Sequence, residues 1–173
     1  MIVEIFDRAR AEPNVDALAD MLAEAVEDGA LIGYVLPFDK LTARTYWHGV
    51  LASIDAGERL LFCALEGDLL VGTVQLYLSP EPNAPHRGEV YKLLVRRDFQ
   101  RRGIGAALMQ AVEDEARRLG RTLLLLDTAE GGAGERLYRR AGWREIGAVP
   151  NHFVDPHGRP KTSIYFMRAL DRS

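Results

Sequence analysis

The chain has 173 residues, of which 47% are hydrophobic and 27% are charged, and its formal net charge is -3 at pH 7. This composition is typical of one globular domain over residues 1–173 and excludes disordered and fibrous proteins. The net negative charge disfavours general nucleic-acid binding, and no apolar stretch is long enough to span a membrane. Charged residues near the N-terminus leave no signal peptide, so we expect a cytoplasmic protein.

Hydrophobic periodicity predicts the elements in chain order. The predicted strands are about Val3–Phe6, Leu60–Leu65, Leu69–Tyr77, Glu89–Val95, Thr122–Leu126, Trp143–Ile146 and Thr162–Leu170. The predicted helices are about Val15–Val26, Lys40–Ile54, Gly103–Leu119 and Ala133–Arg140. The order βααβββαβαββ indicates an α/β fold with a mixed, mostly antiparallel sheet and helices on both faces. The strands at 89–95 and 122–126 flank a helix and should be parallel.

The single cysteine, Cys63, lies in an apolar run and is expected to be a buried strand residue rather than a reactive thiol. No Cys/His spacing indicates a metal site, and the four histidines lack the spacing of a triad, so no metal is expected. His152, in a Pro/Gly/His-rich loop predicted before the last strand, is the histidine most compatible with a functional role.

A basic, glycine-bearing turn, Gln100-Arg-Arg-Gly103-Ile-Gly105, separates a predicted strand from a predicted helix. Free backbone N–H groups at a helix start and two arginines indicate an anion site. Three interpretations compete: a turn that only permits packing, a dinucleotide site with Asp127 on the next strand, and a coenzyme A diphosphate site. Leu108 stands where the dinucleotide motif needs a small residue, and a second βαβ half is missing, which disfavours the dinucleotide site.

Gln100-Arg-Arg-Gly103-Ile-Gly105-Ala106 resembles the Q/R-x-x-G-x-G/A signature of the GNAT acyltransferase superfamily, which uses acetyl-CoA. Leu137-Tyr138-Arg-Arg-Ala-Gly142-Trp143 resembles its second marker, L-Y-x-x-x-G-[FW]. Glu89-Val-x-Lys92-Leu-Leu-Val95 and Leu126-Asp127-Thr128 are similar to the tabtoxin resistance protein and its relatives, which acetylate small amines. The resemblance implies a single-domain GNAT-like fold, acetyl-CoA as cosubstrate and a small-molecule amine as acceptor.

The resemblance also implies where the cofactor binds. The pantetheine arm would pair with the backbone near the end of the strand at 89–95, and the diphosphate would meet the glycine turn. The residues expected to bind it are Leu94, Val95, Gln100, Arg101, Arg102, Gly103, Ile104, Gly105 and Ala106. Of the two arginines, we expect at least one to contact a phosphate. Gly131 and Gly134 depart from the family pattern and predict a more flexible loop over 129–134.

Tyr138 is either a core aromatic or, as the resemblance implies, the donor to the departing thiolate. Reference pKa values of about 10 for tyrosine and about 8.5 for a thiol make full transfer uphill by roughly 2 kcal/mol, which favours a hydrogen bond with partial transfer. Asp127 ends an apolar strand and is either a turn cap or, by the resemblance, the group that acts on the amine. Glu89 is the rival base. Lys92 is then its ion-pair partner or an exposed strand residue.

These patterns predict an N-acetyltransferase in which an amine attacks the thioester directly within a ternary complex, with no covalent intermediate. The alternatives are a protein or peptide N-acetyltransferase, or a non-catalytic regulator that binds coenzyme A. Tyr46 and Trp47 on the second helix either line the acceptor cleft or belong to the core. A homodimer is compatible with all of these functions.

Overall fold

A computed structural model describes residues 1–171 of the chain. The strands are β1 (Ile2–Phe6), β2 (Arg59–Glu66), β3 (Leu69–Leu78), β4 (Arg87–Val95), β5 (Leu123–Ala129), β6 (Arg144–Val154) and β7 (Pro160–Ala169). The helices are α1 (Arg8–Ala11), α2 (Val15–Glu27), α3 (Lys40–Asp55), α4 (Ile104–Arg118) and α5 (Ala133–Arg140). The predicted fold class is confirmed. Helix α1 is additional, because a single turn contains too few apolar positions to show a period.

The strands form one sheet in the order β1-β2-β3-β4-β5-β7-β6. Neighbouring strands are antiparallel except β4 and β5, which are parallel as predicted. Pairing between these two strands extends only from Arg87–Leu123 to Glu89–Leu125. Beyond Glu89, β4 pairs with β3 alone and β5 with β7 alone. The sheet therefore opens into a slot between the second half of β4 and the end of β5.

Helices cover both faces of the sheet and define two cores. On the α4 face, which α4 and α5 cover, the core includes Phe62, Leu124 and Phe166. On the α3 face, which α2 and α3 cover, it includes Leu61 and Trp47. Because side chains alternate along a strand, neighbouring residues such as Leu61 and Phe62 belong to different cores.

Strand β4 changes its alternation at Lys92. The register of β4 against β3 shifts there, and Lys92 has a left-handed backbone with φ of +47°. A bulge of this kind leaves one extra residue on one strand, so the side chains that follow change faces. Val90 accordingly packs in the core of the α4 face, and Leu94 packs in that of the α3 face.

Two predicted strand ends were wrong. The region after Ile146 was predicted to be a loop, but β6 continues to Val154 and pairs with β7 as far as Pro160, which places His152 on a strand. The side chains of β6 are almost all exposed, so its sequence lacks the alternation of apolar and polar residues that marks a strand. Strand β5 likewise continues past Leu126 to Ala129, so Asp127 lies within a strand and is not a turn cap.

Candidate active site

The turn between β4 and α4 presents a row of free backbone N–H groups. Arg101 and Gly103 both have left-handed backbones, with φ of +61° and +84°, and α4 begins at Ile104. Within the described part of the chain, none of the backbone N–H groups of 101–106 donates a hydrogen bond to the protein. Left-handed residues beside a helix N-terminus form a concave anion site. The turn therefore fits the diphosphate that the sequence predicts there.

The two arginines of this turn differ in their freedom. Arg102 donates a hydrogen bond to the backbone oxygen of Asp98 at 2.9 Å, and its guanidinium lies 4.8 Å from the ring centroid of Phe99. The side chain of Arg101 is exposed, and it donates no hydrogen bond to residues 1–171. Arg102 thus stiffens the turn, and Arg101 has the freer guanidinium for a phosphate.

The edge of β4 that faces the slot has no partner strand beyond Glu89. Leu94 is buried beneath this edge, and the backbone oxygen of Val95 accepts a hydrogen bond from Nε2 of Gln100 at 3.3 Å. An extended ligand could add to such an edge through main-chain hydrogen bonds. The predicted pantetheine positions therefore lie between the slot and the glycine turn.

Gly105, in the first turn of α4, packs against α5. A Cβ atom at Gly105 would lie 3.3 Å from Cδ2 of Leu137, which is closer than side chains normally pack. The absence of a side chain there lets α4 and α5 approach beside the slot. Gly103 has no such neighbour, so glycine serves its left-handed conformation instead.

Polar and aromatic side chains form a row across the α3 face. Cross-strand pairing places Arg59 opposite Tyr77, and Tyr77 opposite Glu89. In the next row Gln75 lies opposite Tyr91. Paired residues point to the same side of a sheet, so this row runs from β2 to the slot.

Glu89 lies at the point where β4 and β5 separate. Its carboxylate accepts a hydrogen bond from the hydroxyl of Tyr91 at 2.5 Å, and Nε of Arg87 lies 3.7 Å away. Burial and the Glu89 carboxylate together raise the pKa of Tyr91 well above its usual value. Tyr91 therefore remains a neutral donor that orients this carboxylate.

Asp127 faces the same side from the opposite edge of the slot. Its Oδ2 accepts a hydrogen bond from Oγ of Ser163 at 2.6 Å, and it lies opposite Tyr165 in the register of β5 and β7. Burial, with Asp127 and Glu89 adding to it, raises the pKa of Tyr165. The hydroxyl of Tyr165 also lies 2.9 Å from Nε2 of His152. Both predicted carboxylates thus border one cleft.

Tyr138 reaches this region from the α4 face. Its ring centroid lies 6.0 Å from those of Trp143 and Phe166, and only 6% of the residue is exposed. Its hydroxyl makes no hydrogen bond to residues 1–171, although it is not among the fully covered polar atoms that lack one. Burial, and to a smaller extent the charge of Asp127, raise the pKa of Tyr138. The hydroxyl is therefore a protonated donor that has no hydrogen-bond partner among the described residues.

Gly134 explains how α5 can hold Tyr138 so near the sheet. A Cβ atom there would lie 2.7 Å from Oγ1 of Thr128 and 3.3 Å from the Tyr138 ring. The loop predicted to be flexible is also tied down, because Oε2 of Glu135 accepts a hydrogen bond from the Gly131 N–H at 2.6 Å. The glycine thus serves close packing of helix and strand.

Lys92 is neither the partner of Glu89 nor an exposed strand residue, so both sequence-based expectations were wrong. The bulge directs its side chain under α3, where Nζ donates to the backbone oxygen of Ile32 at 2.7 Å. Its Nζ lies 5.4 Å from the ring centroid of Tyr34 and 4.8 Å from that of Tyr46. Burial, with the nearby charge of Arg59, lowers the pKa of Lys92 to about 8.

A pocket of about 350 Å³ opens on the α3 face. It is lined by Tyr34, Thr42, Thr45, Tyr46, Gly49, Val50 and Arg59. Tyr46 therefore borders a cleft, whereas Trp47 is 1% exposed and belongs to the core. The sequence left open whether these two residues line a cleft or belong to the core; Tyr46 does the first and Trp47 the second.

Sequence reasoning missed four residues of this region: Arg59, Tyr91, Ser163 and Tyr165. Three of them stand in polar or aromatic pairs two residues apart, Glu89 with Tyr91 and Ser163 with Tyr165, the spacing of one face of a strand. That spacing was an available signal. Arg59 had none, because only the pairing of β2 with β3 brings it near the slot.

Other chemistries have little support in the described residues. Cys63 is buried in β2 as predicted, and burial raises the pKa of its thiol to about 12. No group of three or more His, Cys, Asp or Glu side chains within residues 1–171 could hold a metal ion. Across the same residues, no helix combines the length and the apolar character that crossing a membrane requires.

Comparison with known protein families shows which family the sequence matches. The family model for the acetyltransferase (GNAT) family matches residues 4–143. An uncharacterised N-acetyltransferase of Azospirillum brasilense, from the hisH-hisA intergenic region, is 31% identical over 115 residues, which cover 65% of this chain and 67% of that protein.

Comparison with solved structures supports the same fold. The yncA protein of Salmonella typhimurium, determined with its cofactor acetyl-CoA, has a TM-score of 0.80 at 19% identity, covering 100% of this chain and 95% of that one. Ribosomal-protein-alanine N-acetyltransferase of Brucella melitensis has a TM-score of 0.79 at 20% identity, covering 98% and 100%. An aminoglycoside 6'-acetyltransferase type Ii has a TM-score of 0.72 at 21% identity, covering 100% and 99%. At these identities the likeness concerns the fold alone.

Proposed function

The chain belongs to the GNAT acetyltransferase family and is an acetyl-CoA-dependent acyltransferase, and we propose that its acceptor is the primary amine of a small molecule. The observation that carries this proposal is the slot, which has free N–H groups at the glycine turn on one side and two carboxylates on the other. The segments of the chain around Glu89 and Asp127 are similar to those of the tabtoxin resistance protein and its relatives. We propose that the chain belongs to this subgroup.

Acetyl-CoA supplies the activated acetyl thioester. The N–H groups of 101–106 bind its diphosphate, with Gln100, Arg101 and Arg102 beside them, and the free edge of β4 at Leu94 and Val95 binds its pantetheine arm. This orientation brings the thioester through the slot toward Tyr138. Cofactor binding therefore uses mainly backbone groups, and catalysis uses side chains.

The amine attacks the thioester carbonyl directly. The one cysteine, Cys63, is buried in β2 with a raised pKa, so no thiolate of the chain is available to carry the acetyl group. Asp127 or Glu89 orients the incoming ammonium and passes its proton through water to the solvent. With reference pKa values of about 10.4 for the ammonium and 3.9 for aspartate, a proton that stayed on the carboxylate would be uphill by roughly 9 kcal/mol, so the carboxylate does not keep it.

Tyr138 acts on the other side of the breaking bond. Its hydroxyl donates a hydrogen bond to the sulfur as the C–S bond breaks and negative charge develops there. Because burial raises the pKa of Tyr138, full transfer of its proton costs more than the reference values suggest. A hydrogen bond, with the thiolate protonated later by solvent, is the role we assign.

The direct test is a screen of small amines, amino acids and peptides with labelled acetyl-CoA, in which coenzyme A release and product masses are recorded. Acetylation of small amines supports the proposal, and acetylation of peptide N-termini alone supports a protein N-acetyltransferase instead. Tight acetyl-CoA binding without any acetylated amine indicates a regulator. A stable acetyl-enzyme would contradict direct attack.

A further inference from the structure

Arg59 is a half-buried cation that forms no ion pair with a carboxylate in the described part of the chain. Its guanidinium carbon lies 5.3 Å from the ring centroid of Tyr77 and 5.6 Å from that of Tyr91. Nη1 donates a hydrogen bond to Oε1 of Gln75, and no ion pair joins Arg59 to any carboxylate of residues 1–171. Placing a guanidinium away from water without an anion is costly unless a ligand provides one.

The groups around Arg59 hold it in place but do not neutralise it. The hydroxyl of Tyr46 donates to the same Oε1 of Gln75 at 2.9 Å, and because an arginine can only donate, that oxygen must face both groups. Nε of Arg59 and Nε2 of Gln75 are buried without partners. The rings of Tyr77 and Tyr91 and the amide of Gln75 therefore hold the guanidinium in place, and its positive charge remains available to a ligand anion.

A second cation reinforces the positive potential. Lys92 lies against the rings of Tyr34 and Tyr46, which line the pocket, and its one hydrogen-bond acceptor in residues 1–171 is the Ile32 backbone oxygen. The charge of Arg59 acts on Lys92, so the two cations are close enough to repel each other. A ligand anion bound in the pocket beside Arg59 would relieve this repulsion.

The pocket also has the position that an acceptor requires. Arg59 lines it and contacts Tyr91, whose hydroxyl bonds to Glu89 at the slot. Because Arg59, Tyr91 and Glu89 share one face of the sheet, a molecule with its amine at Glu89 and Asp127 would extend past Tyr91 toward Arg59. The volume of about 350 Å³ suits a small molecule.

We infer that the acceptor is a primary amine that also carries an anionic group, carboxylate or phosphoryl, and that Arg59 binds this group in the α3-face pocket. The inference rests on the proposed function and deepens it. Arg59 selects the acceptor and takes no part in acyl transfer, so its loss affects recognition of the anion more than the chemical step.

The test compares matched acceptors. Glycine, β-alanine, 4-aminobutanoate and 6-aminohexanoate are assayed against n-alkylamines of the same length, and aminoalkyl phosphates separate a phosphoryl from a carboxylate preference. We expect kcat/KM for the best anionic amine to exceed that of its uncharged counterpart by about 10- to 100-fold, the range of a charge-assisted hydrogen bond. Equal values for every pair would overturn the inference.

Variants connect that preference to Arg59. Arg59→Gln should reduce the ratio of kcat/KM between the two acceptors to near one, and Arg59→Lys, which keeps the charge but loses the fork, should retain part of it. Arg44→Gln is the matched control, since Arg44 lies on α3 and pairs with Asp16 at 3.1 Å outside the pocket. If Arg59→Gln does not fold, the Arg59→Lys ratio decides the question.

Inhibition gives a second measurement that needs no anionic substrate. Hexanoate should compete with the amine but not with acetyl-CoA, and Arg59→Gln or Arg59→Lys should weaken this inhibition. An anion preference that survives unchanged in both Arg59 variants would contradict the assignment while leaving the proposed function intact. If no amine is acetylated by a protein that binds acetyl-CoA, the proposed function fails and the inference fails with it.

Discussion

Replacing Tyr138 with phenylalanine separates stability from catalysis. The substitution keeps the ring between Trp143 and Phe166 and removes a hydroxyl that has no hydrogen-bond partner in residues 1–171. A side chain that loses an unpaired polar group loses no internal hydrogen bond, so the free energy of unfolding should change by less than about 1 kcal/mol. A core tyrosine with a bonded hydroxyl would lose more.

The catalytic loss should be much larger. If the hydroxyl stabilises the departing thiolate, its removal lowers kcat by about 10- to 1,000-fold, or about 1.4 to 4 kcal/mol of transition-state stabilisation. The affinity for acetyl-CoA should hardly change, because the hydrogen bond forms only as charge develops on sulfur. Burial and Asp127 raise the pKa of Tyr138, so the hydroxyl stays protonated and the loss should be the same from about pH 6 to 9.

Three measurements test this reasoning: urea unfolding, acetyl-CoA affinity by calorimetry, and kcat across the pH range. A folded Tyr138→Phe variant with kcat within about twofold of the original would reduce Tyr138 to a core aromatic, since donors contribute far more than that. A loss that grows steeply with pH would show that the tyrosine ionises in the working range. A large loss of stability would show that the hydroxyl has a structural partner.

Three further predictions concern the glycine turn, the proposed base and the buried lysine. Gly103→Glu should abolish acetyl-CoA binding by placing an anion beside the diphosphate position, whereas Gly103→Ala, which shares the cost of the left-handed backbone, should weaken it far less; equal losses would show that charge is not the cause. Asp127→Asn should lower both acceptor affinity and turnover, with partial rescue at higher pH where free amine is available; rescue in Glu89→Gln instead would make Glu89 the base. Burial gives Lys92 a pKa of about 8 in the folded chain against 10.5 for an ordinary lysine, so the unfolded chain binds more protons between these values and the free energy of unfolding rises with pH there. Lys92→Met should remove that rise, at most about 3 kcal/mol in urea titrations, and an unchanged pH profile would refute the burial of the charge.

The conformation of the glycine turn, which we propose binds the cofactor, was predictable because its determinants are local. A helix start, glycine at Gly103 and the arginines beside it lie within a few residues of one another, so their spacing in sequence is nearly their spacing in space. The element order was predictable for a similar reason, since the helices other than α1 bury one face and show its period, and central strands such as β2 and β3 are short apolar runs buried on both faces. Strand β6 lacks a buried face, and its length was therefore missed.

The acceptor side was less predictable because it depends on register. Strict alternation along β4 would place Lys92 on the α4 face, away from Glu89 and Tyr91. The bulge reverses that alternation, and sequence contains no clear sign of it, since Lys92 is neither glycine nor asparagine. Arg59 reaches the site only through the pairing of β2 with β3.

The divergence of β4 and β5 would allow the two catalytic groups that we propose, which lie on opposite faces of the sheet, to act on one bond. Tyr138 belongs to the core of the α4 face, whereas Asp127 pairs across to Tyr165 on the α3 face. A continuous sheet would separate them by a layer of hydrogen-bonded backbone. The charge of Asp127 nevertheless acts on Tyr138, since it contributes to the raised pKa of Tyr138. Strand pairing that ends at Glu89 would therefore place the proposed donor on one side of the thioester and the proposed base on the other.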